Sequence, residues 1–155
     1  MTIEDNSIEQ FLDEEIADSR GLTFSDKFIA VSDGFNGRVI LLDINTKEKA
    51  TVLNGLQYPN GISFTKDHHL YIVEEHKNVI RKFDIADWSE VWRSPKFQLQ
   101  SPSSAYEIES GMYQGKLLIA EADGNRIFIV EPKKWKVLYE INNLRSVLKA
   151  IPVYN

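Results

Sequence analysis

The chain has 155 residues, of which 43% are hydrophobic and 26% are charged, and such values are ordinary for one globular domain with a sizeable core. A formal net charge of -5 argues against nucleic-acid binding, which needs a basic face. The lack of cysteine excludes disulfides, thiol catalysis and thiolate metal sites. No run approaches the roughly 20 apolar residues of a membrane span, and no signal-peptide layout is seen. We therefore expect a cytoplasmic protein that binds neither nucleic acid nor membrane.

Residues 1–6 are polar, and the first 18 residues are rich in Asp and Glu. Within them, Ser7 to Leu12 alternates apolar and polar residues, which predicts a short strand. A first helical turn is the alternative, favoured by Glu9, Asp13 and Glu14. We expect residues 1–18 to form a terminal strand or a closure segment.

Residues 19–53 predict a first four-stranded unit. Its short runs are rich in Val, Ile and Phe and are separated by turn residues, as in an antiparallel meander. The strands are expected at residues 21–24, 28–32, 38–43 and 49–53. The turn Asp33-Gly34-Phe35-Asn36-Gly37 needs residues that tolerate positive φ, which Gly and Asn supply.

The same pattern returns at about 59–97 and again at about 102–140. Repeats of about 40 to 47 residues with four strands each are typical of β-propeller blades. After the third unit, Asn142-Asn143-Leu144 is similar to Asn54-Gly55-Leu56, which precedes the second unit. Residues 141–155 are therefore expected to form a terminal strand or closure segment, such as the first strand of a fourth unit. The predicted fold is all-β, with three propeller blades.

Three stretches carry a family likeness. Val31-Ser32-Asp33-Gly34-Phe35-Asn36-Gly37-Arg38-Val39 and Glu121 to Ile127 resemble the signature turn of NHL-repeat blades. Tyr58-Pro59-Asn60-Gly61-Ile62-Ser63-Phe64 is similar to the strand entry of the propellers related to gluconolactonase (senescence marker protein) and strictosidine synthase. The likeness covers Ser19 to Glu140 and implies a fold more strongly than a function.

The resemblance also implies a ring of six blades, whereas this chain encodes three. An open blade exposes an unpaired edge and an apolar face. We therefore predict that two chains associate as half-rings into a homodimer with six blades. The alternative is that the chain is a piece of a longer propeller.

Strand order predicts which residues share the axial mouth. The entries into the inner strands and the turn between the second and third strands lie on one face of the disc. The expected ligand-mouth residues are Arg20, Asp33, Tyr58, Asn60, His76 and Ser103. His68 and His69 lie in a turn of the opposite face and are expected to be solvated. A strand of roughly 17 Å separates this turn from His76, so these histidines cannot bind one metal ion within a chain.

The family likeness implies that Asn60 is a ligand of calcium or another divalent cation, and Glu75 could add charge. The alternative is that Asn60 caps the turn after Pro59. Asp33, Glu74 and Glu121 recur at one repeat position, which favours a structural role, such as accepting backbone hydrogen bonds, over a catalytic one.

Two functions follow from these observations. The first is a binding protein, a self-associating half-propeller that takes a small molecule or a protein partner at its mouth. The alternative, implied by the resemblance, is a calcium-dependent lactone or ester hydrolase, in which Asn60 would hold the metal. No catalytic residue can be named from the sequence.

Overall fold

The computed structural model describes residues 16–145 and 147–153. The strand expected at Ser7 to Leu12 lies outside the described residues.

The described chain forms three four-stranded antiparallel sheets in sequence order. Their strands are β1 (Ser19–Phe24), β2 (Phe28–Asp33), β3 (Arg38–Asp43), β4 (Lys49–Leu53), β5 (Pro59–Phe64), β6 (His69–Glu74), β7 (Val79–Asp84), β8 (Glu90–Arg93), β9 (Pro102–Glu107), β10 (Leu117–Glu121), β11 (Arg126–Glu131) and β12 (Lys136–Ile141). The predicted all-β fold of three blades is confirmed, while closure of a six-bladed ring by homodimerisation stays a prediction.

The turn between the second and third strands has the same backbone requirement in each sheet. Gly37, Asn78 and Asn125 have φ values of 60°, 52° and 48° at this turn. Gly adopts this left-handed conformation without cost, and Asn tolerates it better than other residues. In the second sheet the turn is a short 3₁₀ helix, Glu75–Lys77.

The sheets stack through two apolar cores. One core lies between the first and second sheets and includes Val39, Leu41 and Ile72. The other lies between the second and third sheets and includes Val73, Ile119 and Phe128. Side chains alternate between the faces of a strand, so each sheet can contribute to the core on either side of it.

The inner strands β1, β5 and β9 lie side by side, and glycine permits their close approach. A Cβ atom on Gly21 would lie 2.5 Å from the backbone oxygen of Asn60. A Cβ atom on Gly61 would collide with the backbone oxygen of Ser103. These contacts bring the entries of the three inner strands together at one face.

The segment after β12 follows the path of a further inner strand. The Leu144 amide donates to the Asn125 carbonyl at 3.0 Å, as the Leu56 amide donates to the Gly37 carbonyl at 2.9 Å. Val147 is buried, and the Ala150 amide donates to Ser104 Oγ at 3.2 Å. This segment therefore lies against β9, where the inner strand of a following blade would lie.

Across residues 16–145 and 147–153, no helix has the length and apolar character needed to span a membrane.

Candidate functional site

The predicted mouth residues lie at equivalent points of the three sheets. The strand registers pair Ser19 with Asp33, Pro59 with Glu74, and Pro102 with Glu121. In each inner strand the register shifts directly after this pair, at Arg20, Asn60 and Ser103. A bulge of this kind re-aims a side chain at the end of a strand.

An aromatic and cationic cluster forms at this mouth. The rings of Tyr58 and His76 are stacked, with centroids 4.3 Å apart and planes 6° apart. Arg20 Cζ lies 4.9 Å from the centroid of the Tyr58 ring, and Arg20 Nη2 donates to Tyr58 Oη. Arg20 Nε forms an ion pair with Asp18 Oδ2 at 2.8 Å. The cluster therefore combines a cation with a flat aromatic surface.

Tyr58 is the centre of this cluster and has an unusual backbone. Its φ is 55°, a left-handed conformation that is uncommon for a bulky residue and recurs at functional sites. Partial burial and the nearby Asp18 carboxylate raise the pKa of the Tyr58 phenol above its ordinary value, although Arg20 opposes this shift. The phenol is therefore a neutral hydrogen-bonding group near pH 7.

Phe35 extends the aromatic surface on the side of the first sheet. Its ring centroid lies 5.7 Å from that of Tyr58, and its side chain is 72% exposed. The sequence placed Phe35 only in a turn and gave no sign of this role. The sequence feature that could have indicated a place at the mouth is the position of Phe35, two residues after the recurrent acid Asp33.

The structure brings Asn60 and Glu75 together beside this cluster. Asn60 Nδ2 donates to Glu75 Oε2 at 2.7 Å, and Ser101 Oγ donates to Glu75 Oε1 at 3.0 Å. Asn60 lies within β5, and the hydrogen bond from its side-chain amide positions the Glu75 carboxylate at the mouth. The sequence did not indicate Ser101, whose equivalent in the second sheet is Tyr58.

The residues at the mouth do not fit a calcium ion. Calcium takes six to eight oxygen ligands, whereas the predicted ligands Asn60 and Glu75 together supply one amide oxygen and one carboxylate. The Arg20 guanidinium is a further cation at the same face and would repel a metal ion. No group of three or more His, Asp or Glu side chains that could hold a metal occurs in the described part of the chain.

Two of the predicted mouth side chains lie beneath the surface. Asp33 is fully buried and accepts hydrogen bonds from the Asp18 amide at 3.2 Å and Arg38 Nε at 3.0 Å. Ser103 is also buried, and its hydroxyl donates to the Val147 carbonyl at 3.3 Å. Both residues support the mouth from below.

The acids equivalent to Asp33 make the same contacts in the other sheets. Glu74 accepts from the Gln57 amide at 2.7 Å and from Arg81 at 2.8 Å. Glu121 accepts from the Gln100 amide at 2.8 Å and from Arg126 Nε. Each acid therefore fixes the entry of its own inner strand, as the recurrence predicted.

The other histidines lie at the far end of β6. His68 is in the turn before this strand, but His69 is its first residue and is half-buried. His69 Nδ1 lies 3.0 Å from Asp67 Oδ2. The expectation that His69 is a solvated turn residue is therefore wrong, because the strand begins one residue earlier. Neither residue lies at the mouth.

This architecture is that of a β-propeller segment, and comparison with known proteins agrees. The strictosidine synthase family model matches residues 16–87. The structure titled hydrazine synthase from Kuenenia stuttgartiensis is similar with a TM-score of 0.68, at 14% identity, over 88% of this chain and 39% of that chain. A comparison with curated protein sequences gives no match.

The family match and the fold together confirm the resemblance to strictosidine synthase-like propellers, at partial length. The likeness to the hydrazine synthase structure concerns the fold alone, because the identity is low. The chain spans about two fifths of the length of that chain.

Proposed function

We propose that this chain is a ligand-binding propeller protein whose half-rings self-associate and whose mouth takes a small molecule or a protein partner. The observation that carries the proposal is the Tyr58–His76 stack with Arg20 on one side. Beside it, the Asn60–Glu75 pair supplies polar groups.

The chemistry of this cluster favours a flat ligand with polar edges. An aromatic surface binds another flat ring through offset or edge contacts, each worth about 0.5–1.5 kcal/mol beyond the buried area. Arg20 attracts a negatively polarised atom, and the amide of Asn60 offers both a donor and an acceptor. A small site of this kind gains specificity from a few fixed polar groups.

The test is a fragment screen by ¹H–¹⁵N NMR with purine, nicotinamide and indole-3-carboxylate. We expect at least one fragment to shift the amides of Phe35, Tyr58 and His76 in a saturable way. The variant His76→Ala should weaken that binding by about tenfold, since it removes half of the stack.

The matched control is His68→Ala, which removes a histidine on the opposite face and should leave the affinity unchanged. The proposal fails if no fragment shifts these amides, or if both variants weaken binding equally.

A second candidate is a calcium-dependent lactone or ester hydrolase, favoured by the family match across residues 16–87, which include Asn60. Because the mouth does not fit calcium, we expect excess calcium to leave the melting temperature unchanged. A rise in melting temperature that Asn60→Ala abolishes would favour the hydrolase instead.

A further inference from the structure

A cavity that is not part of the predicted mouth lies beneath the connection between β8 and β9. It has a volume of about 430 Å³, which is within the range of small-molecule sites. Its lining residues include the apolar Val79, Leu99 and Phe97 and the cationic Lys77, Arg93 and Lys96. None of its lining residues belongs to the predicted mouth.

The connection above this cavity is fastened at both ends. The Ser94 amide donates to the Ile80 carbonyl at 2.9 Å, and the Ile80 amide donates to Ser94 Oγ at 3.0 Å. At the other end, the Ser101 amide donates to Asn78 Oδ1 at 2.6 Å. Residues 94–101 are therefore hydrogen-bonded at both ends and form a loop, here named the arch, over the turn at 77–79.

The arch belongs to the second sheet and not to the first. The first sheet joins its neighbour through residues 54–58, and the second through the longer stretch 94–101. The additional residues include Lys96 and Phe97. Phe97 has a φ of 62° and is 96% exposed, so its ring lies in solvent at the entrance of the cavity.

The cavity has an apolar floor and a cationic rim. Val79 and Leu99 are buried and form the floor, while no carboxylate is among the lining residues. Lys77 forms an ion pair with Glu74 at 3.2 Å, and Arg93 forms one with Glu90 at 2.7 Å. Lys96 makes no ion pair with a carboxylate of the described residues. The rim therefore carries a net positive charge.

We propose that this cavity binds a small organic anion with a flat apolar body, such as an aromatic carboxylate. The ring would lie on the floor of Val79 and Leu99, partly covered by Phe97. The carboxylate would point to Lys96 at the rim, where a charge-assisted hydrogen bond can form. This site is independent of the mouth and of the function proposed there.

Ser101 lies between the two sites and does not line the cavity. Ser101 donates its amide to Asn78 at the cavity and its hydroxyl to Glu75 at the mouth. A ligand at the mouth should therefore shift the NMR signals of Glu75, whereas a ligand in the cavity should shift those of Asn78.

The experiment is an NMR titration of the full chain with 2-naphthoate and, separately, with the uncharged 2-naphthylmethanol. We expect 2-naphthoate to shift the methyl signals of Val79 and Leu99 and to bind about tenfold more tightly than the alcohol. The Lys96→Glu variant should weaken naphthoate binding by about tenfold, and Phe97→Ala by about threefold. Both residues are exposed, so neither change should disturb folding.

The matched control is Lys133→Glu, which makes the same charge change on an exposed turn of the third sheet. It should change the affinity by less than twofold. The proposal is overturned if acid and alcohol bind equally, if Lys133→Glu weakens binding as much as Lys96→Glu, or if millimolar naphthoate leaves Val79 and Leu99 unshifted.

Discussion

At the scale of single residues, the recurrent acid of each sheet is the clearest link between sequence and structure. A carboxylate that recurs in every repeat was expected to have a structural role. Asp33, Glu74 and Glu121 are all fully buried, and each binds a backbone amide and an arginine. Buried carboxylates are tolerated only when they are paired and hydrogen-bonded.

Removal of one such acid should be costly. We expect Asp33→Ala to lower the free energy of unfolding by about 3 kcal/mol at pH 7, because it removes a buried carboxylate that accepts hydrogen bonds from Arg38 and the Asp18 amide. Burial tends to raise the pKa of Asp33, but hydrogen bonds from Asn36 and Arg38 outweigh this and hold it below its usual value. Denaturant unfolding of both proteins between pH 7 and pH 2 gives the measurement.

The direction of the pH effect follows from the lowered pKa. A depressed folded-state pKa contributes stability above the unfolded value of about 3.9 and loses it as pH falls through the folded value. The difference between wild type and Asp33→Ala should therefore shrink below about pH 4. Asp26→Ala, which removes an exposed carboxylate, is the control. A difference that stays constant down to pH 2 would contradict this explanation.

The mouth was only partly predictable at this scale. The shared repeat position of Arg20 and Asn60 follows from the sequence, because the strand entries can be aligned. The stack of Tyr58 on His76 and the contact of Ser101 with Glu75 join different turns. Such contacts depend on side-chain directions between neighbouring sheets, which one-dimensional spacing does not contain.

At the scale of elements, the strands were largely predictable from alternation and turn residues. The strand β3 begins and ends where the pattern placed it, because Gly37 precedes it and Asp43 ends it. The connection 94–101 was not predicted as a distinct feature, since Pro95 and Phe97 indicate only a loop. The shape of the cavity beneath this connection depends on hydrogen bonds to Ile80 and Asn78, which lie in β7 and in the turn before it.

The spacing of the inner strands depends on glycine. We expect Gly61→Ala to lower the free energy of unfolding by about 2 kcal/mol, because the new Cβ atom would collide with the backbone of β9. Asn60 lies next to Gly61, so the same substitution should shift the Asn60 side-chain amide signals. Thermal unfolding and ¹H–¹⁵N spectra provide the two measurements.

Ser104 is the matched control for Gly61, because it follows Ser103 at the equivalent point of β9 and already carries a Cβ atom. Ser104→Ala should cost less than about 1 kcal/mol, the value of one hydrogen bond. Equal losses from Gly61→Ala and Ser104→Ala would show that strand spacing does not depend on glycine.

At the scale of the whole molecule, each end of the row of sheets exposes apolar side chains. Thr23 Oγ1 accepts a hydrogen bond from the Phe64 amide, so Leu22 and Phe24 point away from the second sheet and are exposed. On the third sheet, Tyr139 and Ile141 are exposed on β12. Exposed apolar faces of this kind favour association.

Self-association should depend on the face of the first sheet. We expect light scattering to give the mass of two chains, and Leu22→Glu with Phe24→Glu to reduce it to one, because buried charges are costly at an interface. Met112→Glu, at another highly exposed apolar residue, should leave the mass of two chains unchanged. A mass of one chain for the wild type at all concentrations, or dissociation by Met112→Glu, would contradict the half-ring pairing.

The segment 147–153 determines how such a pair could form. It lies along β9, where the inner strand of a partner's first sheet would otherwise pack, so a partner must either displace it or pack on its outer side. Hydrogen exchange of the Ala150 amide separates these arrangements, because that amide donates to Ser104 Oγ. Since Leu148 and Ile151 are exposed and can cover a partner's apolar face, we expect packing on the outer side, with slower exchange at Ala150 in the dimer than in the Leu22→Glu, Phe24→Glu variant. Faster exchange in the dimer would instead indicate displacement.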